Sequence, residues 1–306
     1  MSSVPDWVLD SKLETHFLPG SKHETVHTYY EQESLSQRPI KKSEYWQRER
    51  KIGGGGFGEV WLEKCTNVKN NGHHVRATKQ MEVDQQIDYA HQQYERCFVK
   101  SFGWYQNEAS FVIAMEYLEL GDLHDYLLNK KQPLPEIETR CIMSQILEGL
   151  DLMHDNGFAH RDLKRRNILL RSCPPDDWWV KIADFGISKR IEDGLGKSTT
   201  LKEELHMRLT FGRLERLCFQ PAFKHLGLLS NYVQTRMVFP ANPLSTNGVS
   251  QPGVAFVLGL MDPSPGGRMS AKDALQHRWI AQPLPYNNHN SATLAYQEEH
   301  TTSLID

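Results

Sequence analysis

The chain has 306 residues, a formal net charge of −3 and five cysteines, at positions 65, 97, 141, 173 and 218. That length allows one to two domains with a sizeable core, and the balanced charge gives no reason to expect nucleic acid or an anionic membrane as the main partner. The cysteines are odd in number and form no C-x-x-C pair, and the fourteen histidines form no H-E-x-x-H cluster, so neither a disulfide framework nor a zinc site is signalled. The N-terminus lacks an apolar signal core, and no run reaches the roughly 18 apolar residues of a membrane span. The expected setting is reducing and intracellular, cytoplasm or nucleus.

Residues 1–44 are polar, carry Pro5, Pro19, Gly20 and Pro39, and show no sustained periodicity. They read as an extension or linker, with a strand near Tyr29-Tyr30. Residues 46–118 are strand-rich. They open with the glycine run Ile52-Gly53-Gly54-Gly55-Gly56-Phe57-Gly58-Glu59-Val60, which leads to Val75-Arg76-Ala77-Thr78-Lys79. Two β-runs, Phe98–Trp104 and Phe111–Tyr117, flank the polar turn Gln106-Asn107-Glu108. Met115-Glu116-Tyr117-Leu118 and Gly121-Asp122-Leu123 follow. Pro135 opens a helix whose apolar positions Ile142, Ile146, Leu150 and Met153 recur at helical spacing, with Gly157 as its stop. Next come His160-Arg161-Asp162-Leu163-Lys164-Arg165-Arg166-Asn167, a proline-rich turn at Ser172–Asp177 between two short strands, and Asp184-Phe185-Gly186 after the strand Val180–Ala183. Beyond residue 250 helical patterns return, with a closing helix expected from Arg268 through Trp279. The tail after Ala281 is polar.

In their order and spacing these segments resemble the motifs of eukaryotic protein kinases, from about Tyr45 to Ile280. Lys164, two residues after Asp162, resembles the serine/threonine branch, in the phrasing of its fungal members. The resemblance implies a two-lobed α+β fold: a polar extension (1–44), a kinase domain (45–280, N-lobe 45–118, C-lobe 119–280) and a polar tail (281–306). It implies ATP and Mg²⁺ as ligands and a protein substrate that accepts the γ-phosphoryl group on serine or threonine. Glycines let a hairpin bring backbone N–H groups up to phosphate oxygens, which a Cβ would obstruct. The loop from Ile52 through Val60 would therefore cover the nucleotide, with Ala77 beneath it and Lys79 on the α- and β-phosphates. Met115 stands as gatekeeper, and backbone groups of Glu116 and Leu118 would meet the adenine edge. Asp162 would accept the hydroxyl proton, Lys164 would steady the γ-phosphate, and Asn167 and Asp184 would hold metal. Ser198, Thr199 and Thr200 occupy the place of activation-segment phosphorylation, with Arg161 and Lys189 or Arg190 as phosphate partners.

Three parts of that pattern are missing. The glutamate that should pair with Lys79 has no well-placed candidate, because Glu82 lies too near the lysine and Glu95 too far along. No A-P-E motif follows the activation segment, which leaves Arg268 without its expected partner unless Glu203, Glu204 or Glu215 serves. No D-x-W-x-x-G follows either: residues 194–261 contain no aspartate, and no tryptophan lies between Trp179 and Trp279. A permissive encoding of Phe211–Leu217, read one frame over, gives Trp-Ala-Ala-Gly-Glu-Ile, which matches the missing helix motif. Two alternatives to an active kinase therefore stand. One is a catalytically impaired, pseudokinase-like module that binds a nucleotide or partner; the other is the product of a frameshifted or mis-spliced gene, altered near residues 203–220.

Overall fold

A computed structural model describes residues 12–18, 20–21, 23–31, 38–55, 58–67, 75–82, 95–107, 110–130, 134–156, 158–160, 162–184, 189–190, 242–246, 248–262 and 267–282. Seven strands form the N-terminal lobe: β1 (Glu14–Phe17), β2 (Glu24–Glu31), β3 (Ile40–Gly55), β4 (Gly58–Cys65), β5 (Val75–Glu82), β6 (Ser101–Gln106) and β7 (Ser110–Met115). Their order is β1-β2-β3-β4-β5-β7-β6, and every neighbouring pair is antiparallel. The two edges also meet. Lys12 bridges Trp104 in parallel, and Leu13 N–H donates to Trp104 O at 2.8 Å, so the sheet closes on itself as a barrel. Closure removes the exposed strand edges that a sheet otherwise presents.

This differs from the expected extension. The strand near Tyr29-Tyr30 is present as the end of β2, but the boundary expected at 44/45 falls inside β3. The reason is side-chain alternation: Thr25 and His27 on β2 point into the barrel, where hydrogen bonds satisfy them, so a polar sequence builds a buried face.

The C-terminal lobe is helical: α1 (Leu123–Lys130), α2 (Glu136–Asp155), α3 (Asn242–Thr246), α4 (Gln251–Met261), α5 (Ala271–Gln276) and α6 (Arg278–Ala281). Short strands β8 (Phe158–Ala159), β9 (Ile168–Ser172), β10 (Trp179–Ile182) and β11 (Lys189–Arg190) lie between α2 and α3 in the chain, β9 pairing with β10 and β8 with β11. Pro135 precedes α2 as expected, and Ile142, Ile146, Leu150 and Met153 are buried on its inner face. They pack in one core with Leu163, Ile168, Leu170, Phe256, Val257 and Trp279. The closing helix expected from Arg268 is instead two short ones. Ser270 and Asp273 cap α5 with a reciprocal capping box, and His277 breaks the helix there and caps α6. Glu136, at the start of α2, accepts from the Ser250 backbone N–H (3.0 Å), the Ser250 hydroxyl (2.6 Å) and the Trp279 indole (2.5 Å), which ties α2 to α4 and α6. The lobes join where residues 97–99 bond to β10, through Ile182 N–H to Cys97 O (2.8 Å) and Val99 N–H to Ile182 O (3.0 Å).

Candidate active site

The glycine run forms the hairpin between β3 and β4, with Gly53 opposite Val60, Gly54 opposite Glu59 and Gly55 opposite Gly58. Gly58 is the position where glycine is obligatory: its φ is +114°, and a Cβ would sit 2.1 Å from Gln80 O. Lys51 and Glu59 pair across the hairpin at 2.6 Å. Gly56 and Phe57 lie outside the described residues.

Strand β5 runs beside β4, with Lys79 opposite Val60 on one side and Ile113 on the other. Alternation puts Ala77 and Lys79 on one face of the sheet, and both are buried. The Lys79 ammonium donates to the Asp184 carboxylate. Asp184 stands just past β10 with φ +64°, in the left-handed region that an aspartate visits more readily than most residues. Such strain persists where surroundings over-determine it. Here they do: the Ala183 N–H donates to Asn167 O at 2.8 Å, and the buried His160 holds Ala183 O from Nε2 at 2.9 Å. The Asp162 N–H lies 3.3 Å from His160 Nδ1, so Nδ1 accepts and the ring is neutral, in keeping with a pKa lowered by burial.

Asp162 and Asn167 form one unit. A 3-10 turn at Arg165–Asn167 brings the Asn167 amide back, and its Nδ2 donates to Asp162 O (2.8 Å) and Asp162 Oδ2 (3.3 Å). Lys164 donates to the same Oδ2. Leu163, fully buried between them, fixes this loop to the C-lobe core. Among the described residues Asn167 Oδ1 accepts no hydrogen bond, and with the Asp184 carboxylate it offers two oxygen donors of the kind Mg²⁺ takes alongside phosphates and water. The residue types fit that ion.

At the lobe junction the Glu116 N–H donates to Lys100 O (2.9 Å), and its carboxylate accepts from Lys100 N–H (2.7 Å) and from the Lys181 ammonium. Leu118 O accepts from Gly121 N–H at 3.1 Å. Among the described residues Glu116 O and Leu118 N–H take no backbone hydrogen bond, which leaves one acceptor and one donor at the edge expected to meet adenine. Met115 ends β7 opposite Ala77.

Glu95 pairs with Lys100 at 2.6 Å, in keeping with the expectation that it lies too far along to serve Lys79. One expectation about a missing partner changes. Arg268 is not left without a partner, because its Nε donates to Asp262 O at 2.9 Å on the turn after α4. That bond is local and needs no A-P-E glutamate. Arg161, Phe185, Gly186, Ser198, Thr199, Thr200, Glu203, Glu204, Glu215 and the 203–220 stretch lie outside the described residues. Lys189 and Arg190 form β11, paired with β8, the strand that ends one residue before His160. Sequence reasoning missed the polar network behind Lys79; its signal was the placing of Thr25 and His27 two apart on β2, on either side of Val26.

With this geometry in view, the comparisons agree with one another. The chain belongs to the protein kinase family: the model of the protein kinase domain matches residues 46–207. The serine/threonine-protein kinase cst-1 of Caenorhabditis elegans is 31% identical over 158 residues, covering 49% of this chain and 30% of that protein. The meiosis-specific serine/threonine-protein kinase mek1 of Schizosaccharomyces pombe is 26% identical over 262 residues, covering 76% of this chain and 59% of that protein. The chain thus spans about 30% of the length of cst-1. A solved structure of the Rad53 kinase domain and SCD2 superposes with a TM-score of 0.57 at 23% identity, over 75% of this chain and 87% of that one, which shows the shared two-lobed fold.

Proposed function

We propose that this chain is an ATP-dependent protein kinase that transfers the γ-phosphoryl group to serine or threonine hydroxyls of a protein substrate inside the cell. One observation carries the reading: the base, the amide and the second carboxylate (Asp162, Asn167 and Asp184) are tied into one bonded unit, and Lys79 of the opposite lobe reaches into it. In the step, the bond from the γ-phosphorus to the ADP oxygen breaks and a bond to the substrate hydroxyl oxygen forms, while the hydroxyl proton passes to Asp162. Lys164, already on Asp162 Oδ2, is placed to meet negative charge on the transferring group. Lys79 and the hairpin from Ile52 to Val60 would hold the phosphates, and Ala77, Met115, Glu116 and Leu118 the adenine. Mg²⁺, held by Asn167 and Asp184, would neutralise charge between the β- and γ-phosphates. The serine/threonine assignment rests on Lys164 and on the names of the relatives. The catalytic domain in this reading begins within the barrel strands and runs to about residue 280.

Binding tests this before turnover does. Mg-ATP should raise the midpoint of thermal unfolding, since a ligand that binds the folded state stabilises it by RT ln(1 + [L]/Kd). Lys79→Met should cut that rise, and Asp162→Asn should leave most of it. A folded sample with no shift at millimolar Mg-ATP would remove the nucleotide from the proposal.

A further inference from the structure

Inside the N-terminal barrel lies a charged cluster that the site described above does not use. Glu63 of β4 stands directly opposite Arg76 of β5, and both are buried, at 2% exposure each. Glu63 Oε2 accepts from Arg76 Nε (2.9 Å) and Nη2 (2.7 Å), while Oε1 accepts from Thr78 Oγ1 (3.0 Å) and the Tyr105 hydroxyl (3.4 Å). Arg76 also donates from Nη2 to His27 Nε2 at 2.7 Å and stacks over the Trp46 ring at 4.1 Å. A guanidinium can only donate, so Nε2 accepts; the ring proton sits on Nδ1 and donates to Thr15 Oγ1 at 2.8 Å. Residues from β1 to β6 thereby meet on one carboxylate–guanidinium pair, β1 and β2 contributing Thr15 and His27.

The cluster sits on the reverse face of the strand that bears Lys79. Thr78, just before the lysine, is held by Glu63. Gln80, just after it, accepts from Arg48 Nη1 (3.0 Å) and donates to Ser110 Oγ (2.8 Å). Both chain neighbours of Lys79 are therefore pinned from behind. On the cleft face its partner among the described residues is Asp184, a loop residue, and the sequence has no glutamate from 83 to 94. We propose that the Glu63–Arg76 cluster, joined by Thr15 of β1 and His27 of β2, positions Lys79 in the cleft, so that Glu63 and Thr78 are positioning residues and strands β1 and β2 are an integral part of the nucleotide site. The proposal rests on Lys79 serving as the phosphate ligand.

The test reads Lys79 itself. The whole chain is treated briefly with acetic anhydride, and acetylation of each lysine is followed by mass spectrometry. Lys79 is buried and Lys41 exposed, so the parent should label slowly at 79 and quickly at 41. Thr78→Val removes one hydrogen bond and should raise Lys79 labelling about 2–10-fold with Lys41 unchanged. Thr78→Ser, which keeps the hydroxyl, should restore protection. Glu63→Gln should act in the same direction and more strongly; where it prevents folding, Thr78→Val and Tyr105→Phe decide. Titration with Mg-ATP should then show a matching rise in Kd. Unchanged Lys79 labelling in folded Thr78→Val, or a rise shared equally by all lysines, would overturn the proposal. A parent chain that fails to bind ATP would instead strike the functional reading, because the labelling needs no nucleotide.

Discussion

The two lobes are held together by different physics. The C-lobe core is aliphatic and aromatic: Ile146 and Leu150 of α2 pack with Phe256 and Trp279, whose rings meet tilted with centroids 4.6 Å apart. The N-lobe barrel encloses an ion pair and its hydrogen bonds at its centre. An apolar core gains from area removed from water and depends on no group's charge state. A buried ion pair is balanced against a large desolvation cost and holds only while both partners stay in place. In the proposed function, Lys79, assigned to the phosphates, thus hangs on the more conditional lobe, and Asp162, assigned as the base, on the less conditional one.

Breaking the pair from one side is the strongest way to expose that difference. Glu63→Ala should cost about 3–5 kcal/mol, because Arg76 is left buried without its counter-charge. Replacing the whole charged set, as Glu63→Leu with Arg76→Met and Arg48→Met, whose Nε lies 3.9 Å from Glu63, should return most of the loss in chemical denaturation. In the C-lobe, Leu150→Ala should cost about 2–5 kcal/mol through a cavity, with no second charge change able to recover it. Equal recovery in both lobes, or none in either, would erase the distinction.

Acid sharpens the comparison with a smaller effect. His27 is kept neutral, its pKa lowered from 6.5 to about 3, first by burial and then by the Arg76 charge. The unfolded chain therefore binds the extra proton between those values. His27 contributes its stability fully above pH 6.5 and loses it as pH falls toward 3, at up to about 1.4 kcal/mol per pH unit. His27→Gln should flatten the acid limb of stability against pH by about that slope. A limb unchanged by the substitution would mean that the ring is not held as described.

Much of the candidate site's geometry was legible because backbone and spacing force residue identity. Gly58 must lack a Cβ, Asp162 and Asn167 must be five residues apart to share one turn, and the apolar stripe of α2 has helical spacing. The barrel was illegible for the opposite reason. His27, Glu63 and Arg76 are residue types that usually face water, and Arg76 reaches Glu63 and His27 from 13 and 49 positions away in the chain. Arg268 has, besides, a local acceptor in the Asp262 carbonyl, which motif spacing does not reveal.

The central claim is that Asp162 and Lys79 belong to one phosphoryl-transfer site. The most direct measurement incubates the purified chain with γ-labelled ATP, Mg²⁺ and a serine peptide, and compares it with Asp162→Asn under saturating nucleotide. The account predicts label on the serine, with transfer falling about 10²–10⁴-fold in Asp162→Asn while Mg-ATP binding persists. No transfer by a folded, ATP-binding chain, or equal transfer by Asp162→Asn, would contradict it.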